Sequence, residues 1–219
     1  MTGAAQRRDE ILARIARAAS VARRNPSEVR LIAVTKGRAA EEIEPLIEAG
    51  QRDFGENRVQ EALAKWPPLL DRHADVHLHA IGRLQSNKAA DAVKLFSTIH
   101  SVDRRSLLDA LVREAGKAGR TPSLYVRVNI GEEEQKGGCA IGEVGAMVEA
   151  VRNSPLALAG LMGIPPFGVE PAPYFALLAK LARRHDVTGL SIGMSSDFEA
   201  AVMLGATAVR VGTALFEDR

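Results

Sequence analysis

Residues 30–54 read RLIAVTKGRAAEEIEPLIEAGQRDF. Residues 30–34 are a short apolar run with strand character. Residues 40–48 then place apolar side chains at helical spacing, and Gly50 punctuates the end. A new strand candidate follows at 52–54. Strand, amphipathic helix and strand make one βα unit, and the alternation continues along the chain. Further strand candidates lie at 76–81, 98–102, 123–130, 157–163, 189–192 and 208–211, with helical patterns between them. A leading helix over 6–24 ends at Asn25-Pro26. Strict alternation implies a parallel sheet, and eight units after one leading helix predict a closed α/β fold, a single TIM-type (β/α)8 barrel over residues 1–219. A doubly wound open sheet is the alternative, but no G-x-G-x-x-G follows the first strand. The second and seventh strands carry the least pattern.

The 219 residues are 46% hydrophobic and 26% charged, which fits a globular chain with a large core rather than a disordered or membrane protein. A net charge of +2 with only scattered arginine pairs (Arg7-Arg8, Arg23-Arg24, Arg183-Arg184) argues against nucleic-acid binding. Cys139 is the lone cysteine, so no intrachain disulfide forms. The N-terminal stretch has no apolar h-region, and no run is long enough to span a bilayer. A cytoplasmic location is expected, and Asp9 and Glu10 weigh against a transit peptide.

In a βα barrel the loops after the strands share one rim. Here the polar and glycine-rich clusters follow strands: Thr35-Lys36-Gly37, Gly55-Glu56-Asn57, residues 82–88, Asn129, residues 163–166, Gly193-Met194-Ser195-Ser196-Asp197 and Gly212-Thr213. Lys36 ends an apolar strand, where desolvation would favour a nucleophilic amine able to form an imine with an aldehyde; a lysine reaching out to solvent is the equal alternative. The loops after strands seven and eight commonly hold a phosphate. Met194-Ser195-Ser196 and Gly212-Thr213 supply hydroxyls and a close backbone approach there; ordinary helix capping explains either loop alone. Arg210, inside an apolar strand, needs a partner: a cofactor ring nitrogen, or a structural pairing with Glu56 or Asp197. His77 and His79 share a strand at i and i+2, but no third metal ligand follows, so a core or rim role is expected. Cys139 reads as incidental.

These blocks, with Leu31-Ile32-Ala33-Val34-Thr35-Lys36, Phe54-Gly55-Glu56-Asn57, His79-Ala80-Ile81-Gly82, Leu84-Gln85-Ser86-Asn87-Lys88, Gly160-Leu161-Met162, Ser191-Ile192-Gly193-Met194-Ser195 and Val209-Arg210-Val211-Gly212-Thr213, resemble the pyridoxal phosphate homeostasis protein family, in family order. The resemblance implies a barrel like the N-terminal domain of alanine racemase, without that enzyme's C-terminal domain. It implies pyridoxal 5′-phosphate carried as a Schiff base on Lys36, with Asn57 and His79 near the cofactor. Ser195, Gly212 and Thr213 would hold the phosphate beside Met194, and Arg210 would face the pyridine nitrogen. Arg83, Ser196 and Glu217 depart from the family pattern and are expected to leave the lysine and phosphate loops untouched.

Three functions are weighed. A cofactor carrier in vitamin B6 homeostasis leads. A racemase or decarboxylase needs a second acid/base across the cofactor, and neither Tyr125 nor Tyr174 is expected on the rim. An arginine at the ring nitrogen also makes the cofactor a poor electron sink. A cofactor-free Schiff-base aldolase is more distant and would be colourless. A monomer in transient contact with enzymes that take up the cofactor is expected.

Overall fold

The computed structural model describes residues 3–216. Eight strands close a barrel in sequence order: β1 (Arg30–Val34), β2 (Asp53–Glu56), β3 (His77–Ala80), β4 (Thr98–Val102), β5 (Ser123–Val128), β6 (Leu158–Gly163), β7 (Leu190–Ser191) and β8 (Ala208–Val211). Every neighbouring pair is parallel, and β8 closes onto β1 with Ile32 opposite Arg210. Parallel pairing requires a crossover between successive strands, and the amphipathic helices supply it.

The helices are α1 (Gly3–Val21), α2 (Ala40–Glu48), α3 (Val59–Lys65), α4 (Pro67–Arg72), α5 (Ala89–Leu95), α6 (Arg105–Ala118), α7 (Val144–Arg152), α8 (Ala172–Arg184), α9 (Phe198–Met203) and α10 (Thr213–Phe216). Outward-facing strand residues such as Leu31, Phe54, Leu78, Leu124 and Val209 join the buried helix faces in one apolar shell. The sequence pattern marks a helix at 57–63 and none over the residues of α4. Trp66, fully buried against Phe54 with ring centroids 5.1 Å apart, ends α3. Pro67 then starts a new helix at its first turn, where a missing N–H costs nothing. The leading helix buries Ile11, Ile15, Ala18 and Ala19. It is tied to the last units by Arg14, which grips Glu199 through two hydrogen bonds of 3.1 and 2.7 Å, and by Arg24 on the Val202 carbonyl at 2.7 Å.

Side chains alternate across each strand, so every second residue faces the barrel axis. Barrel interiors are usually filled by branched aliphatic residues. Here Ile32 and Met162 share the inside with His79, His100, Tyr125, Ser191 and Arg210, all buried. His79, His100, Ser191 and Arg210 are hydrogen-bonded in series, the Tyr125 ring stacks on His100, and this inner layer lies directly under the rim.

Candidate functional site

Thr35 and Lys36 follow β1, and their position is set by a buried cluster beneath them. Glu56, at the end of β2, has no exposed side-chain surface. Its Oε1 accepts from the Thr35 hydroxyl at 2.6 Å, the Trp66 indole at 2.9 Å and Lys65 Nζ at 2.7 Å. Lys65 also donates to the carbonyls of Thr35 (2.8 Å) and Arg38 (3.0 Å). The strand end is therefore held from below, while the Lys36 side chain is exposed to the cavity above.

That cavity, about 700 Å³, is lined by Val34, Lys36, Asn57, Ile81, Gly82, Arg83, Arg127, Ile164, Met194, Ser195, Ser196, Arg210, Gly212 and Thr213. It sits at the carboxyl ends of the strands, where barrel sites form. Two glycines shape the rim. A Cβ on Gly82 would lie 2.1 Å from the Asn57 carbonyl oxygen, so only glycine lets these loops touch. Gly193 turns the chain after β7 with φ +91°, and a Cβ there would meet Ala201 at 2.6 Å. The turn brings Ser195 under the β8 loop, where its Oγ accepts from the backbone N–H of Gly212 (3.3 Å) and Ala214 (3.4 Å). Several donors thus converge on one small region.

Arg210 forms part of the cavity floor. Its Nη1 donates to the Ser191 carbonyl (2.6 Å) and Ser191 Oγ (2.7 Å), and Nη2 donates to the Gly163 carbonyl (3.1 Å). Among the described residues it pairs with neither Glu56, which is committed to Lys65, nor Asp197, whose carboxylate accepts from Met194 N at 2.6 Å. Burial, and then the nearby Arg127 charge, push its pKa down to about 10, so it stays cationic at neutral pH. Burial also lowers Arg127. Lys36, Arg83, Arg127 and Arg210 thus line the cavity, and no carboxylate, imidazole or phenol joins them among the described residues.

Seven of the eight expected site residues therefore meet in one place: Lys36, Asn57, Met194, Ser195, Arg210, Gly212 and Thr213. His79 does not line this cavity. It faces the barrel axis two residues below Ile81, about 6.6 Å deeper along the strand. There its ring bonds Asp53 (2.9 Å) and His100 (3.0 Å) and borders a second cavity of about 370 Å³ with Arg30 and Tyr125. Arg83 and Ser196, departures expected to leave the lysine and phosphate loops untouched, both line the cavity, as does Ile164 of the 163–166 cluster; Arg127 lines it too and drew no attention in the sequence, where the alternation of residues on β5 was the available sign. Glu217 lies outside the described residues. His77 is exposed at the start of β3, and no group of three or more metal-ligating side chains occurs among the described residues. Cys139 is buried, and desolvation pushes its thiol up to about 12. Among the described residues no helix is long and apolar enough to cross a membrane.

A closed (β/α)8 barrel with a lysine after its first strand and a donor-rich pair of loops after its last two defines the class, and residues 7–219 match the family "Alanine racemase, N-terminal domain", to which the chain belongs. Within it, the chain is similar to proteins named "Pyridoxal phosphate homeostasis protein". The Pseudomonas aeruginosa protein is 42% identical over 96% of this chain and 93% of its own length. The Escherichia coli protein is 36% identical over 98% of this chain and 94% of its own. Among solved structures, PipY of Synechococcus elongatus with pyridoxal phosphate bound is 41% identical, with a TM-score of 0.79 over 92% of this chain and 99% of that one. Alanine racemase from Clostridium difficile, at 14% identity and a TM-score of 0.71, shares the fold, this chain covering 53% of it.

Proposed function

We propose that this chain binds pyridoxal 5′-phosphate, holds it as a Schiff base on Lys36, and serves cytoplasmic cofactor homeostasis rather than a dedicated reaction. The observation that carries this is the meeting of Lys36, Arg210 and the Ser195–Gly212–Thr213 donors in one cavity whose lining bears cations and no carboxylate among the described residues. That donor set fits an aldehyde carrying a phosphate: an amine for the carbonyl carbon, hydroxyls and N–H groups for the phosphate oxygens, and an arginine for the ring. When bound, the cofactor supplies an electrophilic carbonyl and an electron-accepting ring. Lys36 provides the amine, Ser195, Gly212 and Thr213 orient the phosphate with Met194 alongside, Asn57 contacts the ring edge, and Arg210 keeps the ring nitrogen unprotonated.

An arginine at that nitrogen weakens the ring as an electron sink, and a racemase also needs a second acid or base facing the lysine. The lining offers none among the described residues; Tyr125 lies in the opposite cavity and Tyr174 on α8. The reading is of a monomer that captures the cofactor and releases it to enzymes needing it. Lys36→Ala tests it: the variant keeps its fold by circular dichroism and loses the yellow colour given by added pyridoxal phosphate. A variant that stays as yellow as the parent overturns the assignment.

A further inference from the structure

The polar inner layer of the barrel forms one unbroken chain. Asp53 Oδ1 lies 2.9 Å from His79 Nε2, His79 Nδ1 lies 3.0 Å from His100 Nε2, His100 Nδ1 lies 2.9 Å from Ser191 Oγ, and Ser191 Oγ lies 2.7 Å from Arg210 Nη1. The chain crosses the barrel from the cavity at its amino end to the cavity that holds Lys36. We infer that Asp53, His79, His100 and Ser191 form a one-directional hydrogen-bonded relay that positions Arg210 for the cofactor ring. This rests on the function proposed above.

The direction follows from the chemistry of the two ends. A guanidinium only donates, so Ser191 Oγ accepts from Arg210 and turns its own hydrogen to His100 Nδ1. A neutral His100 then carries its hydrogen on Nε2 and donates to His79 Nδ1. His79 in turn carries its hydrogen on Nε2 and donates to the Asp53 carboxylate. The reverse order would set an imidazole lone pair against that carboxylate and leave the serine hydrogen without an acceptor. A second proton on His79 would set its Nδ1–H head to head with the His100 Nε2–H, and one on His100 would set its Nδ1–H against the Ser191 hydroxyl hydrogen. Burial supports the neutral state, holding His79 below the usual histidine range and His100 well below it, where the Arg210 charge adds to the effect.

All the bonds point the same way, with lone-pair ends toward Arg210 and hydrogen ends toward Asp53. Aligned in a low-dielectric interior, they strengthen one another. A buried arginine without a carboxylate partner thus receives its counter-charge through Ser191 and two imidazoles. Around the relay, the Tyr125 ring stacks on His100 at 4.3 Å and 11°, and Arg30 Nε lies 3.5 Å from Asp53. His77 lies two residues before His79 on β3 and is exposed.

The test begins on the ligand-free parent protein. Long-range proton–nitrogen correlation of its five histidines, with His79→Gln and His100→Gln for assignment, is expected to show His79 and His100 as neutral Nε2–H tautomers at about pH 7. An Nδ1–H tautomer or an imidazolium at either ring overturns the relay, whether or not any variant folds. With pyridoxal phosphate added, Asp53→Asn and Ser191→Ala are expected to shift the pH midpoint of the visible band while borohydride still labels the Lys36 peptide. Unshifted midpoints with intact labelling overturn the relay and leave the cofactor reading standing. A parent protein that takes no label overturns the cofactor reading, and with it the relay's role toward the ring.

Discussion

Glu56→Gln is expected to cost more than any surface substitution, because it removes the carboxylate that neutralises a nearly buried ammonium. The Lys65 side chain is 9% exposed and Glu56 is fully buried. Leaving one member of such a pair without its partner costs about 3–5 kcal/mol. The lower end applies here, since Lys65 keeps the Thr35 and Arg38 carbonyls and has Glu61 at 3.7 Å. A further penalty comes from geometry: Glu56 Oε2 is buried with no partner, so a glutamine amide placed there would be an unsatisfied donor. For a chain of 219 residues, about 3 kcal/mol lowers Tm by about 6–12 °C. Scanning calorimetry of the ligand-free protein measures it. The double variant Glu56→Gln/Lys65→Met is expected to recover part of the loss, since the orphaned charge goes with it. A single variant melting within about 1 °C of the parent would refute the reasoning.

Gly212→Val drives a Cβ to 3.2 Å from both the Val34 carbonyl oxygen and its Cβ, displacing the β8 loop. Cofactor affinity is expected to fall at least about tenfold, while saturating cofactor still labels Lys36; unchanged affinity in a fluorescence titration would place the phosphate elsewhere. Cys139, with its thiol at about 12, has about one thiolate in ten thousand near pH 8, so a colorimetric disulfide reagent is expected to react only after denaturation. The two inner histidines make stability pH-dependent. Both stay neutral in the fold with lowered pKa values, whereas the unfolded chain takes up protons below about pH 6.5. Stability is therefore full above that pH and falls below it by up to about 1.4 kcal/mol per pH unit for each ring, until the folded pKa is reached. Denaturant midpoints flat between about pH 7.5 and 5.5 would contradict it.

Much of the barrel was legible because its strands are apolar runs between well-punctuated helices. Arg30–Val34, Thr98–Val102 and Ala208–Val211 lie where the pattern places them. β7 shrank to Leu190–Ser191 because the flanking Gly189 and Gly193 serve close packing and a left-handed turn rather than pairing. The rim residues were legible by their position after strands. Depth along a strand was not: His79 and Ile81 point the same way, and only the closed barrel shows that Ile81 reaches the cavity while His79 sits a layer below. Long-range partners were equally hidden. Nothing local joins Glu56 to Lys65, or His100 to Ser191 across 91 positions of sequence. Arg210 was seen to need company, but its partners proved to be carbonyls and a serine, groups that carry no sequence pattern.

The central claim is that Lys36 carries the cofactor. Purified protein mixed with pyridoxal phosphate, reduced with borohydride and mapped by peptide mass spectrometry tests it most directly. The account predicts a yellow protein that bleaches on reduction and a pyridoxyl label confined to the peptide containing Lys36. A protein that stays colourless and unlabelled, or one labelled chiefly at Lys65, Lys88 or Lys136, would contradict it.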